Sequence, residues 1–87
     1  MKKIIISLIF GLIAIIKISA ATFTVTSVSN SGPGTFRQAI LDANAAAGAD
    51  VISFSIGTGT KTITLLSVVN ITSEIDIDGS TQPGFSG

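Results

Sequence analysis

The chain has 87 residues, 46% of them hydrophobic and 11% charged, with charges that balance to a formal net of zero. A sequence this apolar is not a disordered one, so part of it is buried in a core or a membrane. It contains no cysteine, histidine, tyrosine or tryptophan, which excludes a disulfide framework, thiolate metal ligands, a thiol nucleophile and the usual histidine base, and removes the better sugar-stacking rings.

Lys2 and Lys3 precede an apolar run over 4–16, relieved only by Ser7, Phe10 and Gly11. A charged start followed by a short apolar stretch is the pattern of a secretory signal peptide. As a helix the run covers roughly 20 Å, short of the roughly 30 Å hydrocarbon core of a bilayer, and Lys17 blocks its extension. Small residues follow at Ser19, Ala20 and Ala21. Cleavage after Ala21 places Ser19 at position −3, whereas cleavage after Ala20 places Ile18 there; the small-residue rule therefore favours Ala21 and assigns residues 1–21 to the signal. The competing reading is a retained helical anchor. Export predicts a secreted or cell-surface location, with no membrane attachment after cleavage. The remaining chain carries Arg37 and Lys61 against Asp42, Asp50, Glu74, Asp76 and Asp78. A net acidic segment without a basic patch gives nucleic acid and anionic lipid no electrostatic hold. At this size, a secreted unit without disulfides calls for a larger parent or for self-association.

Over 22–28 the sequence alternates, with Phe23, Val25 and Val28 on one face and Thr22, Thr24 and Thr26 on the other, the period of a half-buried strand. Asn30, Ser31, Gly32, Pro33 and Gly34 end it with a cluster of turn formers. Thr35 then stands as an N-cap with Gln38 three residues on, the spacing of a capping box. The helix predicted over 35–47 places Phe36, Ala39, Ile40, Ala43, Ala46 and Ala47 on one stripe, and Gly48 supplies the stop.

Beyond Gly48 the period returns to two, at Ile52, Phe54 and Ile56, then Ile63 and Leu65, then Ile75 and Ile77, which predicts three short strands. Ile52, Ile63 and Ile75 stand 11 and 12 residues apart, too close for crossover helices between parallel neighbours. A hairpin meander fits that spacing, and so do half-turns of a β-solenoid.

The run Phe23-Thr-Val-Thr-Ser27, the run Asn30-Ser-Gly-Pro-Gly-Thr-Phe-Arg-Gln-Ala-Ile-Leu-Asp-Ala-Asn44, then Gly48-Ala-Asp50, Ile75-Asp-Ile-Asp-Gly79 and Thr81-Gln-Pro-Gly-Phe85 together resemble the opening of secreted bacterial right-handed parallel β-helix proteins of the pectin-lyase-like type. The resemblance implies a mainly β fold: an N-terminal cap of strand plus amphipathic helix over 22–48, then the first coils of a β-helix over 49–87, left incomplete. The structural residues of that cap would be Thr35, Phe36, Gln38, Ile40, Ala43 and Gly48, with the helix closing the first coil. Its principal partner would be the protein's own downstream β-helix coils, and its ligands extracellular polysaccharide or surface proteins.

Glu74, Asp76 and Asp78 alternate with Ile75 and Ile77, so on a strand they share one outward face at roughly 6.5 to 7 Å intervals. Such a row is a weak candidate for a cation site or for acid–base work on glycosides, where carboxyl groups stand roughly 5 to 9.5 Å apart; a solvated strand face is the plainer reading. Arg37, in the first helical turn, fits a structural hydrogen bond better than a sugar carboxylate. Lys61 is read as solvated, Thr58, Thr60, Thr62 and Thr64 as a loop leading into a strand, and Asn70-Ile71-Thr72 as a chance glycosylation triplet. No cofactor and no catalytic residue are assigned. The function expected is a non-catalytic structural segment of an exported β-helix protein used in surface adhesion or extracellular recognition. Two alternatives stand beside it: the N-terminal part of a carbohydrate-active enzyme whose active site lies downstream, and a small standalone secreted protein.

Overall fold

Three short strands lie side by side in their order along the chain and all run parallel: β1 (Thr22–Val25), β2 (Asp50–Phe54) and β3 (Ile75–Ile77). This is the arrangement in a computed structural model that describes residues 20–86; the expected signal segment, 1–21, lies almost wholly outside them. Phe23 pairs with Ile52, and Ile52 with Ile77. Parallel neighbours require a crossover between each pair. The first crossover carries helix α1 (Phe36–Ala45), and the second, residues 55–74, has neither helix nor strand. A meander needs antiparallel neighbours, so that option is excluded among the described residues. The architecture is a three-stranded parallel sheet with one helix.

Alternation sorts the strand side chains. Val25 and Ile52 are fully buried and Phe23, Phe54 and Ile75 pack beside them, whereas Thr22 and Thr24 are exposed. Helix α1 presses Ala39, Ile40 and Ala43 onto that apolar face, and Ile56 completes the core. Phe36 stacks on Phe54 with ring centroids 6.2 Å apart and planes 20° from parallel. The helix thus lies across β1 and β2, with its expected stripe inward as far as Ala43; Ala47 is exposed.

Several boundaries move from their sequence positions for identifiable reasons. Strand β1 stops at Val25, short of Val28, because the N–H groups of Thr26 and Ser27 both donate to Gly34 O, at 2.8 and 3.0 Å, and leave the ladder. That close approach is why residue 34 is glycine: it sits at φ +79°, and a Cβ there would meet Thr26 Oγ1 at 2.6 Å. Val28 is consequently left 43% exposed. The helix ends at Ala45 rather than Ala47, since Ala46 is already extended, and Gly48, at φ +94°, turns the chain into β2 beyond the helix end. Half of the capping box forms. Thr35 Oγ1 accepts from Gln38 N–H at 3.2 Å, but the Gln38 side chain donates to Asp42 Oδ1 at 2.8 Å instead of reaching back, and Thr35 N–H goes to Gly32 O.

The strand expected around Ile63 and Leu65 does not form. Gly57 and Gly59 take positive φ just before it, and Leu66 N–H donates to a side chain, Asn30 Oδ1, rather than to a strand. Ile63 alone reaches the core. Across the sheet Phe23, Ile52 and Ile77 align, and Ile75 stands opposite Asp50 rather than Ile52.

Ile40 is fully buried while its neighbour Leu41 is 53% exposed. Ile40→Ala is expected to cost about 2–5 kcal/mol and Leu41→Ala within about 0.5 kcal/mol, read as the shift in the urea unfolding midpoint of the protein. Equal shifts would show that α1 does not cover the core.

Candidate functional site

The outward acidic row is put to local structural use. Asp78 is half-buried and its Oδ1 accepts from both Ser80 N–H and Ser80 Oγ, capping a 3-10 turn over Gly79–Thr81. Thr81 Oγ1 donates to Asp78 O and accepts from Phe54 N–H, both at 2.7 Å, so the turn is tied back to the end of β2. Glu74 and Asp76 are exposed. Among the described residues no three of His, Cys, Asp or Glu gather as a metal site would require. Elsewhere on this face Thr24 Oγ1 and Ser53 Oγ share a hydrogen bond of 3.0 Å across paired strands.

A second set of polar side chains holds the strandless second crossover. Arg37 Nε and Nη2 donate to Asn30 O and Oδ1 at 3.1 and 3.0 Å, while Nη2 and Nη1 reach Ser67 O and Val68 O, each at 2.9 Å. The guanidinium fork thus spans the turn before the helix and the far segment, which is the structural use its place suggested. Asn44 Nδ2 donates to Asn70 O at 2.8 Å and Asn44 Oδ1 accepts from Thr72 N–H at 2.9 Å. Gln82 behaves alike: its Oε1 accepts from Ile56 N–H at 2.8 Å and its Nε2 donates to Ile56 O and Gly59 O, at 2.6 and 3.0 Å. Each primary amide offers one acceptor and a donor pair, as a strand edge does. Asn44 and Gln82 therefore replace rungs of the missing ladder.

A cavity of about 410 Å³ opens beyond the C-terminal end of β2, walled by Phe54, Ile56, Ile63 and Phe85, with Gln82 and Lys61 among its polar neighbours. No carboxylate lines it, so an acid–base pair is not assembled there. Lys61 is exposed, as are Thr58, Thr60, Thr62 and Thr64, which belong to a loop; Asn70 of the glycosylation triplet is exposed too. Among the described residues no helix is long and apolar enough to cross a membrane.

The polar side chains that hold the second crossover at separate points are thus Asn30, Arg37, Asn44 and Gln82, of which sequence reasoning singled out only Arg37. The others lay inside the runs that carry the family resemblance, but their partners are 23 to 36 residues away for Asn44, Gln82 and the Asn30–Leu66 contact, beyond the reach of any local period. These features define a small parallel β unit laced by side-chain amides. Compared with known proteins, the chain matches no family model, no curated protein and no solved structure.

Asn44→Ala is expected to cost about 0.5–1.5 kcal/mol, since it removes side-chain hydrogen bonds from two backbone groups that water can reach, and to deprotect Thr72 N–H in hydrogen exchange. Asn44→Asp should retain that protection because the acceptor survives. Unchanged Thr72 exchange in Asn44→Ala would refute the rung role.

Proposed function

We propose that this chain is a non-catalytic structural segment of an exported protein, the cap and opening coils of a right-handed parallel β-helix serving surface adhesion or extracellular recognition. The observation that carries the reading is the state of the last strand. In the inward row Phe23, Ile52 and Ile77, Ile52 is fully buried between neighbours, yet Ile77 is 43% exposed. Phe85 is 56% exposed at the mouth of the apolar cavity. Parallel strands alternate their bonding direction, and Glu74 O and Asp78 N–H are used toward β2, so the N–H and C=O groups of Ile75 and Ile77 face the free edge. An apolar row ending at an unpaired strand fits one occupant best: a further parallel coil of the same kind, continuing the stack beyond β3. Extracellular polysaccharide or surface proteins would then be bound by the stack as a whole.

The absence of histidine and cysteine and the use of Asp78 as a cap favour scaffold over enzyme. Light scattering of the exported protein should report self-association through the open edge, and Ile77→Lys should shift it toward monomer with the circular dichroism spectrum retained. A sharply melting wild-type monomer would overturn the open-stack reading. Turnover of pectin or a related polysaccharide, abolished by Asp76→Asn, would instead establish the carbohydrate-active enzyme.

A further inference from the structure

Asp50 begins β2 on its inward side and is 1% exposed. Its Oδ1 accepts from Ala21 N–H at 2.9 Å, and its Oδ2 is buried with no hydrogen-bond partner among the described residues. A buried carboxylate held by one neutral donor is an expensive group, because desolvation of its charge is barely offset. Nothing in the core, the helix cap or the side-chain rungs requires an acid at this position. What distinguishes it is the identity of its donor, the backbone nitrogen at the junction between the signal segment and β1.

We propose that export cleaves the chain between Ala20 and Ala21, and that the α-ammonium so created is captured by the Asp50 carboxylate. The inference rests on the export reading and goes one step further, to the bond cut and the fate of the new terminus. Signal peptidase hydrolyses the peptide bond with water: the hydroxyl joins the Ala20 carbonyl carbon and leaves a carboxylate on the released signal, while the Ala21 nitrogen takes the proton and, on taking up another, becomes an ammonium. That ammonium has three donors and a full charge where the peptide has one donor and none. It can keep Oδ1 and also serve Oδ2, converting an under-paired buried charge into a charge-assisted pair.

Both candidate bonds have alanine on their amino side, so the small-residue rule discriminates only through position −3. The folded product discriminates more sharply. Ala21 O accepts from Val51 N–H at 2.8 Å, and cleavage after Ala21 would delete that acceptor together with the one hydrogen-bond donor that the Asp50 side chain has among the described residues. The new ammonium would then be on Thr22, whose N–H the alternation of the parallel ladder directs away from β2. Cleavage after Ala20 keeps the Val51 bond, keeps the Asp50 bond and adds the charge.

The test is N-terminal sequencing and intact mass of the protein recovered after export. A start at Ala21 is expected. A start at Thr22 overturns this inference and leaves export standing, whereas recovery of intact Met1 overturns export and the inference together. Capture is read separately by amine labelling at neutral pH, with exposed Lys61 as the internal reference. In the folded protein the α-amine should label about tenfold more slowly than after unfolding in urea, and Asp50→Asn should abolish the difference. Equal rates in folded and unfolded wild-type protein would overturn capture without recourse to the variant.

Discussion

A parallel arrangement of strands only three to five residues long leaves most of the chain outside the ladder, and the course of that backbone has to be fixed by other hydrogen bonds. That requirement organises this molecule. The second crossover, 55–74, has no secondary structure to satisfy it internally. The solution is to fix a few side chains on ordered elements and aim them at the backbone of the disordered-looking one: Arg37 and Asn44 from the helix, Asn30 from the turn before it, and Gln82 from the segment after the 3-10 turn. Remove the helix and two of these anchors, Arg37 and Asn44, lose their positions at once, so the apolar stripe of α1 and the course of a loop more than 20 residues away are coupled.

The helix therefore has two jobs on two faces. Ala39, Ile40 and Ala43 cover the apolar face of β1 and β2, and small alanines allow the helix to approach closely while Ile40 supplies the volume. Arg37 and Asn44 lie elsewhere around the helix and face the crossover. The half-formed capping box has a local cause: Gln38 is free to pair with Asp42 because the Thr35 N–H it would otherwise cover already donates to Gly32 O. The division of faces accounts for Leu41, which lies on neither working face and is exposed.

How much of this was legible in the sequence depended on the range of the interaction. Alternation in 22–25 and 50–54 and the stripe of the helix are local, and the expected strands and helix formed with ends displaced by two or three residues. The displaced end of β1 came from bonds to the following turn, the capture of Thr26 and Ser27 N–H by Gly34 O. Ile63 and Leu65 carried the same local signal as Ile75 and Ile77, but only the latter pair found a partner strand; a two-residue alternation says that a segment can be a strand, and pairing decides whether it is one. Of the site, Arg37 was readable as a structural donor from its place in the first turn. Asn30, Asn44 and Gln82 were not, since an amide next to a turn has many local uses and only the fold identifies the backbone it meets.

Asp50 shows the same limit from the opposite direction. Its position follows Gly48 and Ala49 and opens a strand, where an acidic residue ordinarily reads as a turn or boundary residue facing water. The register overrules that reading: because Asp50 stands opposite Ile75 and one step before the Thr22–Val51 pair, it is placed on the inward side, beneath the start of β1. A one-residue slip would return it to solvent but would send Ile52 outward and empty the centre of the core, since every side chain changes face together. The burial of Ile52 thus holds the carboxylate inside, and the charge must be met there by whatever lies across from it. What lies across is the nitrogen of Ala21, so the cost of keeping the core in register is concentrated on one contact at the head of the first strand, the place where the chemistry of the chain's beginning and the packing of its middle constrain each other.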